Sequence, residues 1–471
     1  MINPKELIER RATVGFEDLL ASRIRFLKAW AGGVPDTAFS GWKKHDAPLP
    51  VRTGKEQTMQ VIGAGNRGQC LAVCLESRVT EEGCLMIINN GAGGYAEVAL
   101  QDLPADFRAV EVFPTLLTGQ RPRAEDCEVI LAGYHEKAAE SGAFKAAEKR
   151  LRSIAEDIGS GDQLDPMDCL NEVLGRMPET ADSWHDAQVI MGVLPYLVAN
   201  LYRVFHGHTV TEPPKVAPKG IAEQFVNILG TEMVKDSALA EKFIDLYIKL
   251  LSTHSTNLSW KGAQDAASGK GSIKSTVKTG IELLKTPAHG GAQRAITPMI
   301  ADVKSELGLS DGHVPTLEEV VTWVKKRLTD GNPIMGFGHA VLRNHDPRGI
   351  KVNSEVLAES PSITGMWDYQ ILRALYEHVP TALERPDVTA IKKIASRFTN
   401  VDFTTGPAQE WVLGVTNPAV EVLAFALARI PDYMVAKIHL EALGLGIARA
   451  QSMSEINIQT VYPFTPAIIG G

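Results

Sequence analysis

The chain has 471 residues, of which 44% are hydrophobic and 22% are charged, and its formal net charge is −8 at pH 7. This composition is typical of a globular protein, and the length is sufficient for two or three domains. The acidic balance argues against a general nucleic-acid-binding surface. Any anionic ligand must therefore be held by local clusters of arginine.

The cysteines do not have the spacing of a zinc site or of a CxxC pair: Cys70, Cys74, Cys84, Cys127 and Cys169. An odd number of cysteines in a long chain favours reduced thiols, and we expect an intracellular, cytoplasmic protein. The longest apolar run, Val189 to Ala199, is too short to cross a bilayer. The first twenty residues mix acids with bases, unlike a targeting signal.

Apolar residues at helical spacing predict a first amphipathic helix from about Pro4 to Trp30. A small β region is expected at Met59 to Asn90. It contains GAGNRG, a literal GxGxxG at Gly63 to Gly68, which in a dinucleotide-binding fold would link a strand to a helix. No alternating strand–helix pattern follows, so a tight turn is the favoured interpretation. A nicotinamide-dependent oxidoreductase is the less favoured alternative.

Helical patterns dominate from Val98 onward. In Glu111 to Pro122, a buried helix should end at Gly119 and the next should start at Pro122. Residues 124–158 predict charged amphipathic helices. Residues 186–205 are apolar nearly all round and predict a core helix kinked at Pro195.

One loop carries an unusual concentration of chemically useful residues. Residues 332–349 read NPIMGFGHAVLRNHDPRG, with His339 between two small residues and Arg343 and Arg348 close behind it. Glycine allows a tight bend or a close approach to a ligand. Arginine suits carboxylate or phosphate. A histidine after Gly-x-Gly is, taken alone, more often an ordinary loop residue.

Three other segments add candidate polar residues. His254 continues the apolar face of the preceding helix, so a core histidine and a ligand-binding histidine both fit. His289 opens the small-residue run HGGAQ, and a histidine at a helix N-terminus should remain neutral. Asp402, in Asn-Val-Asp, fits a helix cap or a base.

The C-terminal region predicts two helices separated by a proline. The first opens at Asn417-Pro418 and runs to Arg429, where Pro431 stops it, and the second covers Asp432 to Leu443. Phe425 and Arg429 lie one turn apart on the first. Beyond these helices, Arg449 precedes Ser-Met-Ser in a glycine-rich tail.

In combination these motifs resemble the citrate synthase family, especially its longer, eukaryotic-type members. The resemblance rests on GFGHAVLRNHDPR, HGGAQ, Asn-Val-Asp, the arginine after Phe425 and the arginine before Ser-Met-Ser. It is firm for residues 222–454, looser for 111–207 and faint before residue 95. The chain departs from the family pattern at Gln293, which replaces the usual asparagine, and beside His254, where relatives often have acids.

The resemblance implies an all-α, multi-helical fold of two domains with a small β region near the N-terminus. The large domain would comprise residues 1–290 and 411–471, and the small domain residues 291–410. The small domain would close over the substrates. A homodimer with shared active sites is also implied, since the family's C-terminal arginine, here Arg449, reaches the neighbouring subunit.

The implied reaction condenses acetyl-CoA with oxaloacetate and hydrolyses the thioester to citrate and coenzyme A, with no metal or further cofactor. Asp402 would be the base, His289 would stabilise the enol and His339 would polarise the keto acid. Oxaloacetate would be bound by His254, Arg348, Phe425, Arg429 and Arg449. Coenzyme A would contact Gly336, Gly338, Ala340, Arg343 and Asn400. A 2-methylcitrate synthase using propionyl-CoA and a non-catalytic relative remain alternatives.

Overall fold

The computed structural model describes residues 8–33, 76–81, 83–89, 95–254, 257–287, 289–339, 341–392 and 396–443. The first helices are α1 Phe16–Gly33, α2 Ala109–Thr118, α3 Ala124–Glu140, α4 Ala143–Gly159, α5 Pro166–Arg176, α6 Ser183–Phe205, α7 Ile221–Leu229, α8 Ser237–Leu251, α9 Leu258–Ser268 and α10 Ile273–Leu284. They are followed by α11 Ile296–Glu306, α12 Leu317–Thr329, α13 Pro347–Val352, α14 Pro361–Thr364, α15 Trp367–Ala382, α16 Pro386–Thr389, α17 Asp402–Leu413 and α18 Glu421–Leu443. The predicted all-α fold is confirmed.

The β region is small and antiparallel, in the order β1 Ser77–Val79, β2 Cys84–Asn89 and β3 Tyr95–Ala99. It therefore extends further along the chain than predicted. The GxGxxG turn at residues 63–68 lies outside the described residues, so its structure stays a prediction. The first predicted helix is not continuous, because residues 8 and 9 are helical, residues 10–15 are not, and α1 covers Phe16–Gly33. Its predicted start at Pro4 lies outside the described residues.

The segment from Glu111 to Gly119 behaves as its sequence predicts. Helix α2 is buried along its whole length and ends at Gly119, which adopts a left-handed conformation with φ 75°. Glu111 is completely buried and pairs with Arg121 through a 2.6 Å bond between Oε2 and Nε. Arg11 also contacts Glu111, at 3.2 Å. This ion pair closes the turn between α2 and α3, which begins at Ala124 rather than at the predicted Pro122.

Helix α6 is the central helix of the main core and is continuous through Pro195. By length and composition it could cross a membrane, but 89% of its most apolar stretch is buried inside the protein. An interior position accounts for its hydrophobicity, because a helix that is apolar all round needs apolar neighbours on every face.

A second hydrophobic core is formed by residues in the sequence range from Ile296 to Phe403, most of them on α11, α12 and α15. These residues all lie within the predicted small domain of residues 291–410. Val352, Val356 and Tyr369, from the same range, pack in the main core instead. The domain boundaries remain a prediction.

The prediction that Pro431 stops a helix is wrong. Helix α18 runs unbroken for 23 residues and contains Pro431 in its interior. A proline removes one backbone hydrogen bond and crowds the preceding turn. Here the residues on both sides of it, Ile430 and Tyr433 among them, are completely buried. Their apolar burial outweighs the lost bond.

The buried Glu111–Arg121 pair generates a stability prediction. Arg121→Leu should lower the free energy of unfolding by about 3–5 kcal/mol, because it leaves a fully buried carboxylate without its principal partner. Arg78→Leu is the matched control. It breaks the Arg78–Glu97 pair, whose side chains are 60% and 39% exposed, and should change stability by about 1 kcal/mol at most. Urea unfolding of both variants measures the difference. Equal losses would contradict this account of the buried pair.

Candidate active site

Two glycines shape the loop that carries His339. Gly336 and Gly338 have φ values of 77° and 95°, which other residues rarely adopt. A Cβ added to Gly336 would lie 2.9 Å from Cβ of Phe403. Phe337 also pairs with Thr399 through an isolated antiparallel bridge. These contacts hold the histidine loop against the segment that leads into α17.

The orientation of the His339 ring is set by the backbone. Its Nδ1 accepts hydrogen bonds from the amides of Val341 and Leu342, at 3.0 and 2.9 Å. The proton of the neutral ring is therefore assigned to Nε2. That nitrogen lies 3.1 Å from Nε2 of His254. Burial, followed by the charge of Arg348, lowers the pKa of His339 to about 4. The ring is thus a neutral hydrogen-bond donor at physiological pH.

His254 lies just beyond the end of α8, which finishes at Leu251, and not on a continuing helical face. Its contact with His339 distinguishes it from a histidine enclosed only by apolar residues. Burial, with a smaller contribution from Arg348, lowers its pKa well below the usual value. His254 is therefore neutral as well.

His289 precedes a six-residue 3₁₀ turn, Gly290–Ala295, rather than the N-terminus of an α-helix. Its Nε2 lies 2.8 Å from the Ser259 hydroxyl. Its ring meets that of Phe425 edge-on, with 6.2 Å between centroids. The pKa is lowered to about 4, chiefly by burial and then by Arg429. The predicted neutral ring is supported, but burial accounts for it instead of the predicted helix dipole.

Asp402 is the first residue of α17, yet it does not cap the helix. The cap position is Val401, and no side-chain cap bond forms there. The Asp402 side chain is buried, and its Oδ1 accepts no hydrogen bond from the described part of the chain. Burial raises its pKa to about 7, against the opposing charge of Arg348. A carboxyl group with this pKa can accept a proton near neutrality.

Two buried arginines surround these groups. Arg348 pairs in a bidentate manner with Asp346, at 2.9 Å from Nε and 2.7 Å from Nη2. Arg429 donates Nε to the Leu251 carbonyl at 3.0 Å, and its guanidinium lies over the Phe425 ring. Each retains a buried Nη1 for which the described residues provide no acceptor. Both charges act on Asp402 and His254, which places these groups in one electrostatic environment.

Three contributors were not predicted as site residues. Asp346 neutralises Arg348, although Asp-Pro-Arg alone indicated only a turn. Ser259 contacts His289, and the available signal was the segment Asn257-Leu258-Ser259, which follows His254 closely in the sequence. Cys84 comes from β2, and the charges of Arg348, Asp346 and Arg429 all act on its buried thiol. No local motif identifies Cys84, because only the tertiary fold brings that strand to the site.

The predicted coenzyme contacts fall around the same loop. Arg343 donates to the His339 carbonyl at 3.3 Å and is one-third exposed. Asn400 donates Nδ2 to the Gly338 carbonyl, also at 3.3 Å. Ala340 and Arg449 lie outside the described residues. The coenzyme and substrate roles of all these residues stay predictions.

Comparison with known proteins identifies relatives of two named activities. The citrate synthase of Corynebacterium glutamicum is 28% identical over 248 residues, which cover 52% of this chain and 53% of that protein. The 2-methylcitrate synthase of Shewanella oneidensis is 28% identical over 307 residues, which cover 64% and 74%. The chain therefore aligns with about half the length of the first relative and about three quarters of the second.

Solved structures show the same fold at lower identity. Citrate synthase from Pyrobaculum aerophilum has a TM-score of 0.62 at 20% identity, covering 81% of this chain and 89% of that one. Citrate synthase from Thermoplasma acidophilum, solved as a ternary complex with carboxymethyl coenzyme A and oxaloacetate, has a TM-score of 0.60 at 17% identity, covering 79% of this chain and 90% of that one. The family model for the citrate synthase C-terminal domain matches residues 78–439. Because this match spans well over half of the sequence, the chain belongs to the citrate synthase family.

Proposed function

We propose that the protein condenses acetyl-CoA with oxaloacetate and hydrolyses the resulting thioester to citrate and coenzyme A. The observation that carries the proposal is the buried Asp402 carboxyl group, whose pKa is raised to about 7 while the charges of Arg348 and Arg429 act on it. One or both of these charges also act on three neutral histidines, His254, His289 and His339. This set supplies a base, neutral hydrogen-bond donors and binding sites for anions. The solved Thermoplasma relative contains carboxymethyl coenzyme A and oxaloacetate, which supports the same ligand classes here.

The first step removes a proton from the acetyl methyl group. Asp402 would take this proton, while His289 would donate a hydrogen bond to the thioester oxygen as it becomes an enol oxygen. The lowered pKa of His289 keeps its ring neutral, so it acts as a hydrogen-bond donor without becoming a competing strong acid. Base and donor contributions of this kind are each on the order of 10²–10⁴ in rate.

The second step forms the carbon–carbon bond at the keto carbon of oxaloacetate. The Nε2–H of His339 would donate a hydrogen bond to the keto oxygen and so polarise the carbonyl group. This bond would replace the contact between His339 and His254. The Nη1 groups of Arg348 and Arg429, for which the described residues provide no acceptor, would bind substrate carboxylates. The keto oxygen would take up one proton as the bond forms and become the hydroxyl group of citrate, which balances the proton removed by Asp402. Water would then cleave the thioester, with its hydrogen going to sulfur to give the coenzyme A thiol and its hydroxyl to the acyl carbon to give the third carboxyl group of citrate.

The assembly belongs to the same proposal. Arg449 would complete the binding of oxaloacetate from the neighbouring subunit of a homodimer. The relatives also include 2-methylcitrate synthases, so propionyl-CoA is the second candidate substrate. One methyl group is discriminated by roughly 1–3 kcal/mol in an apolar pocket, too little for sequence motifs to predict.

Thiol release provides the direct test. The protein should release free coenzyme A from acetyl-CoA only when oxaloacetate is present, because the thioester bond is cleaved after condensation. Parallel measurements with propionyl-CoA compare kcat/KM for the two thioesters. A higher value with propionyl-CoA would assign the 2-methylcitrate reaction, and no release with either thioester would refute a condensing enzyme.

Asp402→Asn should lower kcat by roughly 10²–10⁴, because an amide cannot accept the methyl proton. Asp126→Asn is the matched control, since Asp126 is also largely buried but lies on α3, paired with Arg123. Circular dichroism should show both variants folded. If Asp402→Asn retains more than about a tenth of the wild-type rate, well above the expected range, another residue is the base.

The pH dependence follows from the same pKa. Because ionised Asp402 is the active form, kcat/KM should rise with pH through a single ionisation whose pKa is about 7. His289 and His339, with pKa values of about 4, are already neutral across that range. His339→Gln should therefore be slower but keep the same rise. A profile flat from about pH 5.5 to 8.5 would contradict the raised pKa of the base.

Ionisation of Asp402 should also lower the free energy of unfolding. Its folded pKa lies above the unfolded value, so the folded state binds more protons between about pH 4 and 7, and stability falls as pH rises through this window.

A further inference from the structure

A network of buried polar side chains adjoins the segments that carry His289 and Asp402. It comprises residues from α6, α8, α17 and the 3₁₀ turn after His289, all of them completely enclosed: Tyr202, Tyr247, Gln293, Thr405 and Gln409. None is among the predicted substrate-binding or catalytic residues. Two of them lie close in sequence to such residues, because Gln293 follows His289 by four positions and Thr405 follows Asp402 by three.

The direction of the central hydrogen bonds can be assigned from the Val401 carbonyl, which can only accept. Thr405 donates its hydroxyl proton to this carbonyl at 3.0 Å. Its oxygen therefore accepts from Nε2 of Gln293, at 2.6 Å. The carbonyl oxygen of the Gln293 amide then faces Tyr247 and Gln409, at 3.0 and 3.3 Å. The bonds thus run from the turn after His289 to the residue immediately before Asp402.

The outer part of the network is anchored in the same way. Gln409 donates Nε2 to the backbone carbonyl of Glu421, at 3.0 Å. Its own carbonyl oxygen accepts the Tyr202 hydroxyl. Gln293 is consequently held by partners on α8 and α17, and it cannot rotate without breaking buried hydrogen bonds.

Backbone packing also brings the 3₁₀ turn after His289 close to α17. A Cβ added to Gly406 would lie only 2.7 Å from the backbone carbonyl oxygen of Gln293. The turn after His289 therefore rests directly on α17, one helical turn beyond Asp402. A wholly apolar interior could fill this space, but it would not define the relative position of two backbone segments through directional bonds.

We propose that Thr405 and Gln293 are positioning residues that hold the Asp402 base and the His289 donor at a productive separation. The inference rests on the proposed function, in which these two groups act on one acetyl thioester. Proton abstraction depends steeply on such geometry, and misplacement by about 1 Å can cost on the order of a hundredfold in rate.

Replacement of Thr405 separates positioning from packing. Thr405→Val keeps the side-chain volume and loses the hydroxyl, whereas Thr405→Ser keeps the hydroxyl and loses a methyl group. Positioning through the hydrogen bond predicts that Val lowers kcat by roughly tenfold or more, with KM for oxaloacetate changed by less than about threefold. Ser should stay within about threefold of the wild-type kcat. A packing role predicts the reverse order.

The affected step can be measured separately. Exchange of the acetyl-CoA methyl hydrogens with deuterated solvent, followed by mass spectrometry, reports proton abstraction when a hydroxy dicarboxylate replaces oxaloacetate. Thr405→Val should lose exchange in proportion to kcat. Thr115→Val is the matched control, because Thr115 is equally buried on α2 and its hydroxyl has no partner among the described residues. It should leave both rates unchanged.

Each outcome decides the inference. Wild-type kcat in a folded Thr405→Val protein, or a loss in Ser as large as in Val, would overturn it. If Val does not fold, Tyr247→Phe removes only the hydroxyl that contacts Gln293, and an unchanged kcat in that variant would overturn it equally. A wild-type protein that releases no coenzyme A would overturn the proposed function, and this inference with it. If the wild-type protein and the Thr405→Val variant turn over with the same kcat, this inference is overturned while the proposed function stands.

Discussion

The ion pair between Asp346 and Arg348 sets the electrostatics of the candidate active site. Arg348 is completely buried, and its charge acts on Asp402, His254 and His339. Without a counter-charge it would lower the pKa of Asp402 further. Asp346 supplies that counter-charge through two short hydrogen bonds. Burial then remains the dominant influence on Asp402, and its pKa stays near neutrality.

Arg429 has a different environment on α18. It contacts a backbone carbonyl and an aromatic ring, and the described residues do not place a carboxylate in hydrogen-bond contact with it. Burying a guanidinium in this way is costly unless another anion completes it. This arrangement supports the proposed binding of anionic ligands, and the positive charge of Arg429 disfavours protonation of His254 and His289. The proposed anion binding and the neutral histidines would both follow from one arrangement of charges.

The candidate site depends on segments that are distant in sequence. The loop containing His339 is held against the approach to α17 by the Phe337–Thr399 bridge. The turn after His289 is held against the same helix by Gln293 and Thr405. Helix α17 thus carries Asp402 and supports the segments that contain His289 and His339. Its position between the two hydrophobic cores, with Phe403 in one and Ala408 in the other, explains how one helix can serve both sides.

Local patterns in the sequence predicted the dominance of helices after Val98, the helix that ends at Gly119, and the use of glycine around Phe337, whereas the all-α class followed from the family resemblance. Helical periodicity and backbone conformation depend on near neighbours, so they can be recognised without the fold. The side chains of the candidate site were identified through family motifs. Apart from the neutral ring of His289, their neutral or charged states were not predicted, since a pKa depends on burial and on charges brought from other segments.

Only the tertiary structure decided the contacts that join distant residues. The pairing of His254 with His339, the proximity of Cys84 to both arginines and the Gln293 network leave no periodic signal in the sequence. Pro431 shows the same limit within a single helix. Its local preference is to end α18, but apolar burial on both sides of it keeps the helix intact. Long-range packing can outweigh a local preference because its many small contributions sum over the whole buried surface.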